Sequence, residues 1–338
     1  MGDKVMKNSL IKSLNGMGIG LFATLVVGTI LSQIGNLAHW DLLIQLGTIA
    51  KVLMGGAIGA AVAYALEAPP LVIFSCIVTG SIGAGAVQIV DANTMIKVGD
   101  PAGAYVASLI TTIVGKKIAG RTKVDIVLVP IVCILIGGIA GTFVSPVITQ
   151  FTSGIGFIIN RATELQPLYM GAIVSTIMGL VLISPISSAA MAASLGLSGL
   201  AAGAAVVGTS CQMIGFAVAS YKENGLEGII AQGLGTAKIQ FGNIVKNPLI
   251  AVPSTVASFI LGMFSTTVFK MTCNKIGAGM GTSGLVGQIQ TVAEMGSGSI
   301  VKIIILHFVL PALISFTVAY AMKKKGYIKT NDMLLQSV

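Results

Sequence analysis

Long runs without a single Asp, Glu, Lys or Arg alternate with short polar interruptions along this chain. The runs cover residues 15–37, 52–64, 71–90, 101–114, 126–157, 168–221, 248–269 and 303–322. A helix needs about 20 mainly apolar residues to cross the hydrocarbon of a bilayer. The run 168–221 is long enough for more than one crossing. The pattern therefore predicts an all-α polytopic membrane protein with about eight to ten membrane segments, ten being the preferred number.

Composition narrows the class. With 9 % charged and 54 % hydrophobic side chains and a mean hydropathy of +0.94, the chain lies far from a soluble domain, where about a quarter of residues are charged. In a soluble protein a net charge of +9 would suggest nucleic acid. Here the excess sits in short flanks: Lys4, Lys7 and Lys12, then Lys116, Lys117, Arg121 and Lys123, then Lys323, Lys324 and Lys325. By the positive-inside rule those flanks place both termini in the cytoplasm and make the number of full crossings even. The first apolar run ends in "LSQIGNLAHW" without a small-residue cleavage site, so a retained helix is expected rather than a secretory signal. Gly-rich helix faces such as "GGAIGAAVAYA" from Gly55 suit close helix packing. Cys76, Cys133, Cys211 and Cys273 stand singly without metal spacing and are expected to be buried small hydrophobes.

Two halves are discernible. "GLFATLVVGTIL" matches "GAIVSTIMGLVL", with Gly20, Thr24 and Gly28 against Gly171, Ser175 and Gly179 at a constant offset; Val129-Pro130 and Val252-Pro253 open a looser second pair. The expected organisation is a first membrane repeat over 1–159, a polar connector over 160–167, a second repeat over 168–322 and a cytoplasmic tail over 323–338. Five crossings per half would make the repeats inverted.

Helix breaks carry the candidate chemistry. Glu67 precedes Pro69-Pro70, a pair that ends or sharply kinks a helix. A short polar crossing supplies Gln88, Asp91, Asn93, Thr94 and Lys97 before Asp100-Pro101, an N-cap followed by proline at the first helical position. Pro185 divides a serine-rich run holding Ser184, Ser187, Ser188 and Ser194. Residues 229–248 mix apolar and polar types as an interfacial segment would, with Lys238 and Lys246 pointing to water. Residues 275–299 are Gly-rich and polar, which fits a re-entrant hairpin or a flexible loop.

The sequence has no nucleotide, zinc or nucleophile signature, and no metal or cofactor is expected. His39 and His307 are isolated; an interhelical hydrogen bond is the expected role of His307, with proton sensing as the alternative. The expected substrate pocket comprises Glu67, Asp100, Arg161, Glu164, Ser187, Ser188, Thr209 and Gln212. Carboxylates and the amide would recognise hydroxyls, and Arg161 would compensate charge. Arg161 and Glu164 can also pair across one turn, and Ser and Thr hydroxyls can satisfy their own helix's carbonyls.

The runs "LNGMGIGLFATLVVGTILSQIG", "MGGAIGAAVAYALEAPPLV", "VGDPAGAYVASLI", "GKKIAGRTKVDIVLVP", "ELQPLYMGAIVSTIMGLVLISPISSAA" and "KNPLIAVPSTVASFILG" together resemble the phosphotransferase-system EIIC-like membrane proteins, in the branch containing the clostridial perfringolysin regulator. The resemblance spans roughly Leu10 to Tyr320. It implies a bacterial inner-membrane protein, homodimeric, with about ten crossings and a pocket built from broken helices. The family works with soluble phosphotransferase components, which the resemblance offers as partners; the sequence has no room for the soluble phosphoryl-carrying domains themselves, and transport without a phosphoryl donor fits that departure at least as well. The Gly-Ile-Thr-Glu signature of glucose-type membrane components is missing. The expected function is transport of a small hydrophilic solute, a sugar or related metabolite, by alternating access, with no autonomous enzyme activity and no nucleic-acid partner. The alternative is an EIIC-like sensor or regulator without transport.

Overall fold

The computed structural model describes residues 2–90 and 93–335. The structure is 80 % helical, in keeping with the all-α expectation. Two compact units meet in sequence at Phe151 and Thr152. That division falls inside a helix, upstream of the polar connector at 160–167.

In the first unit, α1 (Gly2–Leu21) passes through a π-helical turn at Phe22–Val26 into α2 (Val27–Ala38), which ends at His39 in the left-handed conformation. Helices α3 (Asp41–Val52) and α4 (Met54–Ala65) are joined at Leu53 with a bend of 53°. Glu67 follows with φ of 56°, because the double proline allows no continuation of the helix. Pro70 then opens α5 (Pro70–Gly83). The expected polar crossing is instead a β-hairpin, β1 (Val87–Val90) against β2 (Asn93–Ile96), antiparallel with Val87 opposite Ile96. Asp91 lies outside the described residues. Helix α6 (Pro101–Ile118) starts as expected: Asp100 accepts a hydrogen bond from the Ala102 N–H at 2.8 Å. Helix α7 (Asp125–Thr163) carries Pro130 and Pro146 within it. Helix α4 packs against α1, α5 and α6.

The second unit is built on α8 (Pro167–Ile183), α10 (Gly199–Ala219), α13 (Val252–Thr267) and α16 (Leu310–Lys324), which pack on one another. Helix α10 is the centre: from Ala201 to Ala219 only Ile214 and Val218 are not buried, as a helix apolar all round requires. Between these stand α9 (Ser188–Ser194), α11 (Tyr221–Ile230), α12 (Phe241–Lys246), α14 (Val286–Met295) and α15 (Ile300–Ile303). The Gly-rich stretch is folded into the unit, with Ala278 and Thr282 fully buried, so it is not a loose loop.

Small residues set the helix distances. Gly20 and Gly171, partners in the sequence match, both mark close approaches: a Cβ on Gly20 would lie 2.6 Å from the Ala57 carbonyl oxygen, and one on Gly171 would meet the Gly262 carbonyl. Buried hydroxyls turn back on their own helices; Thr112 donates to Ser108 and Thr209 to Ala205. The four cysteines are buried and free.

Past α16 the chain docks on its own unit. The Met333 carbonyl accepts hydrogen bonds from the side-chain amides of Gln240 and Asn224, both at 2.8 Å, and Asn243 donates to the Leu334 carbonyl at 2.9 Å. Ile328 and Met333 enter the apolar cluster around Phe216 and Ile250.

Among the described residues five helices are long and apolar enough to cross a membrane: Ser9–Asn36, Asp125–Ile148, Gly199–Ala219, Pro248–Thr267 and Ser297–Lys324. The bent pair α3–α4 would make a sixth, and α5 and α8 are apolar but shorter. Large apolar side chains lie bare on the surface, including Phe74, Ile126, Phe143 and Phe151, more than a water-facing monomer tolerates.

Candidate functional site

The break in the second unit begins with Pro185. The residue before a proline avoids the α region, and Ser184 is extended with ψ of 170°, so α8 stops at Ile183. The serines then close the gap. Ser184 Oγ donates to the Val181 carbonyl at 2.7 Å and accepts from the Ile186 N–H at 3.2 Å. Ser187 accepts from the Ala190 N–H at 3.2 Å as the N-cap of α9, and Ser188 donates to the Gly279 carbonyl at 2.7 Å.

The carbonyls at the break are also held by Lys238. Its Nζ donates to the Ser184 carbonyl at 2.7 Å and to the Ile186 carbonyl, and approaches the Val181 carbonyl at 3.4 Å. Lys238 is only 6 % exposed, which corrects the expectation that it points to water; Lys246 is exposed as expected. The physical reason is the negative end of the α8 dipole, where unpaired carbonyls offer an ammonium both charge and acceptors. Thr236 caps the 3₁₀ turn Ala237–Gln240 that carries the lysine.

Beside the break lies a neutral polar interior. Gln212 on α10 reaches α13: its Oε1 accepts from Ser254 at 2.6 Å and its Nε2 donates to Thr255 at 3.2 Å. Gly281 packs on the backbone of Thr209 and Ser210, so the turn that receives Ser188 also adjoins Thr209. From Ser210 a second chain of contacts runs outward: Gln288 Nε2 lies 3.3 Å from Ser210 Oγ and 3.0 Å from His307 Nδ1. Thus His307 makes the interhelical bond expected of it. Gln288 Oε1 and His307 Nε2, both buried, have no hydrogen-bond partner among the described residues. Whichever way the amide is turned, the pair presents one donor and one acceptor, the complement of a hydroxyl group. His307 sits in a π-helical stretch, Ile304–Val309, just before Pro311. Having no N–H to return to the His307 carbonyl, Pro311 loosens the ladder there.

The charged members of the expected pocket are placed otherwise. Glu67 pairs with Lys12 at 2.9 Å and is largely exposed; the Lys12 ammonium holds its carboxyl below the usual carboxylate range. Asp100 is committed to the α6 cap. Arg161 and Glu164 form the expected one-turn pair at 3.0 Å, exposed, with Arg161 over the Phe157 ring. So Ser187, Ser188, Thr209 and Gln212 lie in the interior of the second unit, and Arg161 and Glu164 lie on its surface. Missing from the expected set were Gln288 and Lys238. Each is one polar residue in a Gly-rich or mixed stretch, and nothing in sequence marks it as buried.

Bare apolar helices around buried hydroxyls, most of them turned onto backbone carbonyls, define a helical membrane protein. The family model for the phosphotransferase system EIIC component matches residues 11–335, and the chain belongs to that family. Membership makes it a membrane component of sugar transport. No curated protein and no solved structure matches the chain.

Proposed function

We propose that the protein carries a small neutral polyhydroxylated solute, a sugar or related metabolite, by alternating access around the breaks of its second unit. The observation that carries this reading is the pair Gln288 and His307: a buried donor and a buried acceptor on hydrogen-bonded neighbours, each without a partner of its own among the described residues. A polar group left unpaired in low dielectric costs roughly 1–3 kcal/mol, a cost that a solute hydroxyl would remove. Ser188, Thr209 and Gln212 belong to the same neutral interior and complete the proposed recognition set. Glu67, Asp100, Arg161 and Glu164 stay in the partnerships described above. The break at Ser184–Ser187 and the π stretch at His307 supply places where backbone can rearrange without exposing new polar groups to lipid. In this reading α5 and α8 count as broken crossings, and ten segments in two inverted repeats, with both termini cytoplasmic in a bacterial inner membrane, form part of the proposal. So do a homodimer and soluble phosphoryl-donating partners.

Uptake of labelled sugars into sealed vesicles holding only this protein, with and without a phosphoryl-donating soluble extract, tests it. Flux is expected, with phosphorylated product where the extract is present if the two are coupled. Replacing His307 with Ala or Gln288 with Leu should weaken solute binding by roughly tenfold or more. Solute binding with no flux under either condition would overturn transport.

A further inference from the structure

A second place in the second unit is built for a different molecule. An open groove of about 420 Å³ runs beside the end of α16, walled by Val218, Leu226, Ile229, Phe316 and Tyr320. Adjoining it is a polar pocket of about 490 Å³, formed where the chain turns after Gly326 and lined by Lys222, Lys323 and Lys329. Lys222 and Lys323 line both cavities. One half is apolar, the other cationic, and the boundary between them is a pair of lysines.

The position matches this division. Helix α16 is the last part of the membrane-capable stretch Ser297–Lys324; it ends in Lys323 and Lys324, with Lys325 following, so the lysines stand where apolar helix gives way to water. Tyr221 and Tyr320 are exposed at the groove, as aromatic side chains are at a headgroup layer. Lys323 is partly committed, donating to the Ala219 carbonyl at 3.0 Å and pairing with Glu223 at 3.2 Å. Glu223 also receives the Met333 N–H at 3.0 Å, which fixes the tail that forms the pocket's far side. Lys222 and Lys329 are exposed, and neither ammonium has an ion pair among the described residues. Among the lining residues three lysines stand against the carboxylate of Glu223, and even with Asp332, whose carboxylate accepts the Lys329 N–H at 2.8 Å, the balance is cationic.

We propose that an anionic glycerophospholipid docks here, its phosphate between Lys222 and Lys329 and one acyl chain along the Leu226–Phe316 groove. Charge complementarity selects an anionic headgroup over a zwitterionic one, and the shared lysines join headgroup and chain sites in one molecule.

Native mass spectrometry of the purified full chain, released from mixed micelles of phosphatidylglycerol or phosphatidylcholine, reads this directly. Phosphatidylglycerol should be retained at roughly tenfold lower lipid concentration than phosphatidylcholine. The double variant Lys222→Gln, Lys329→Gln should erase that difference, and Leu226→Glu should lower retention of both lipids. All three side chains are exposed, so the variants should melt like the parent, which a thermal scan checks; single Lys222→Gln gives the same reading should the double variant melt early. Equal retention of the two lipids, or retention unaffected by these substitutions, would overturn the proposal. Glycerol 3-phosphate should not compete; competition at equal concentration would make this a soluble-phosphate site and overturn the lipid assignment.

Discussion

The ammonium of Lys238 lies 2.7 Å from the carbonyl oxygen of Ser184, residues far apart in sequence. This cation closes the gap that Pro185 leaves at the end of α8. It ties the 3₁₀ turn at Ala237–Gln240 to the break, and through Gln240 to the Met333 carbonyl. A buried ammonium held by carbonyls contributes only while its acceptors stay in place.

Replacing Lys238 with Met should therefore leave the carbonyls at the break short of a donor and destabilise the protein by about 3 kcal/mol. Thermal unfolding in detergent should show a clearly lower midpoint, and Lys238→Arg should lose less than Met. A midpoint equal to the parent's would show that water satisfies the break as well as the lysine does.

Gly208 on α10 faces the Ser175 carbonyl of α8 so closely that a Cβ would collide with it. Gly208→Ala should cost about 1–3 kcal/mol through forced helix separation. At Gly154, within α7, a Cβ would meet nothing within 4 Å. There alanine should be neutral or stabilising by up to about 1 kcal/mol, from helix propensity. Paired melts of the two variants separate packing from propensity.

The Lys12–Glu67 pair gives a pH signature. Because the folded carboxyl is held below its unfolded value, first by the Lys12 hydrogen bond and then by its charge, the unfolded chain binds more protons through that window and stability rises with pH there. The contribution is present above the unfolded value and is lost as pH falls through the folded one. Melting midpoints of the parent and Glu67→Gln should thus differ near neutral pH and converge as the pH falls past the lowered folded value into acid. The gap should be small, since the pair is exposed and salt-screened. A gap unchanged at acid pH would show that Glu67 acts by something other than its charge.

Local chemistry was legible wherever one residue and its neighbours decide the outcome. Asp100 before Pro101 reads as a cap and is one; Arg161 and Glu164 read as a one-turn pair and form it. Pro185 reads as a break, and α8 ends just before it. The hairpin at 87–96 was less visible, because its apolar run continues that of α5 without a charge to mark the change. The segment expected as a cytoplasmic tail is held by Asn224, Gln240 and Asn243, whose amides declare no partner in sequence.

Hydropathy and the prolines were thus enough to point to a helical membrane chain and to place particular helix ends, at Asp100 and before Pro185, because burial in lipid and backbone geometry act residue by residue. Which buried polar groups meet was settled by folding. Lys238 reaches Ser184 and Gln288 reaches His307 across long stretches of chain. In a low-dielectric interior each such group must find whatever acceptor or donor the packed helices bring within about 3 Å, and that distance is a property of the fold.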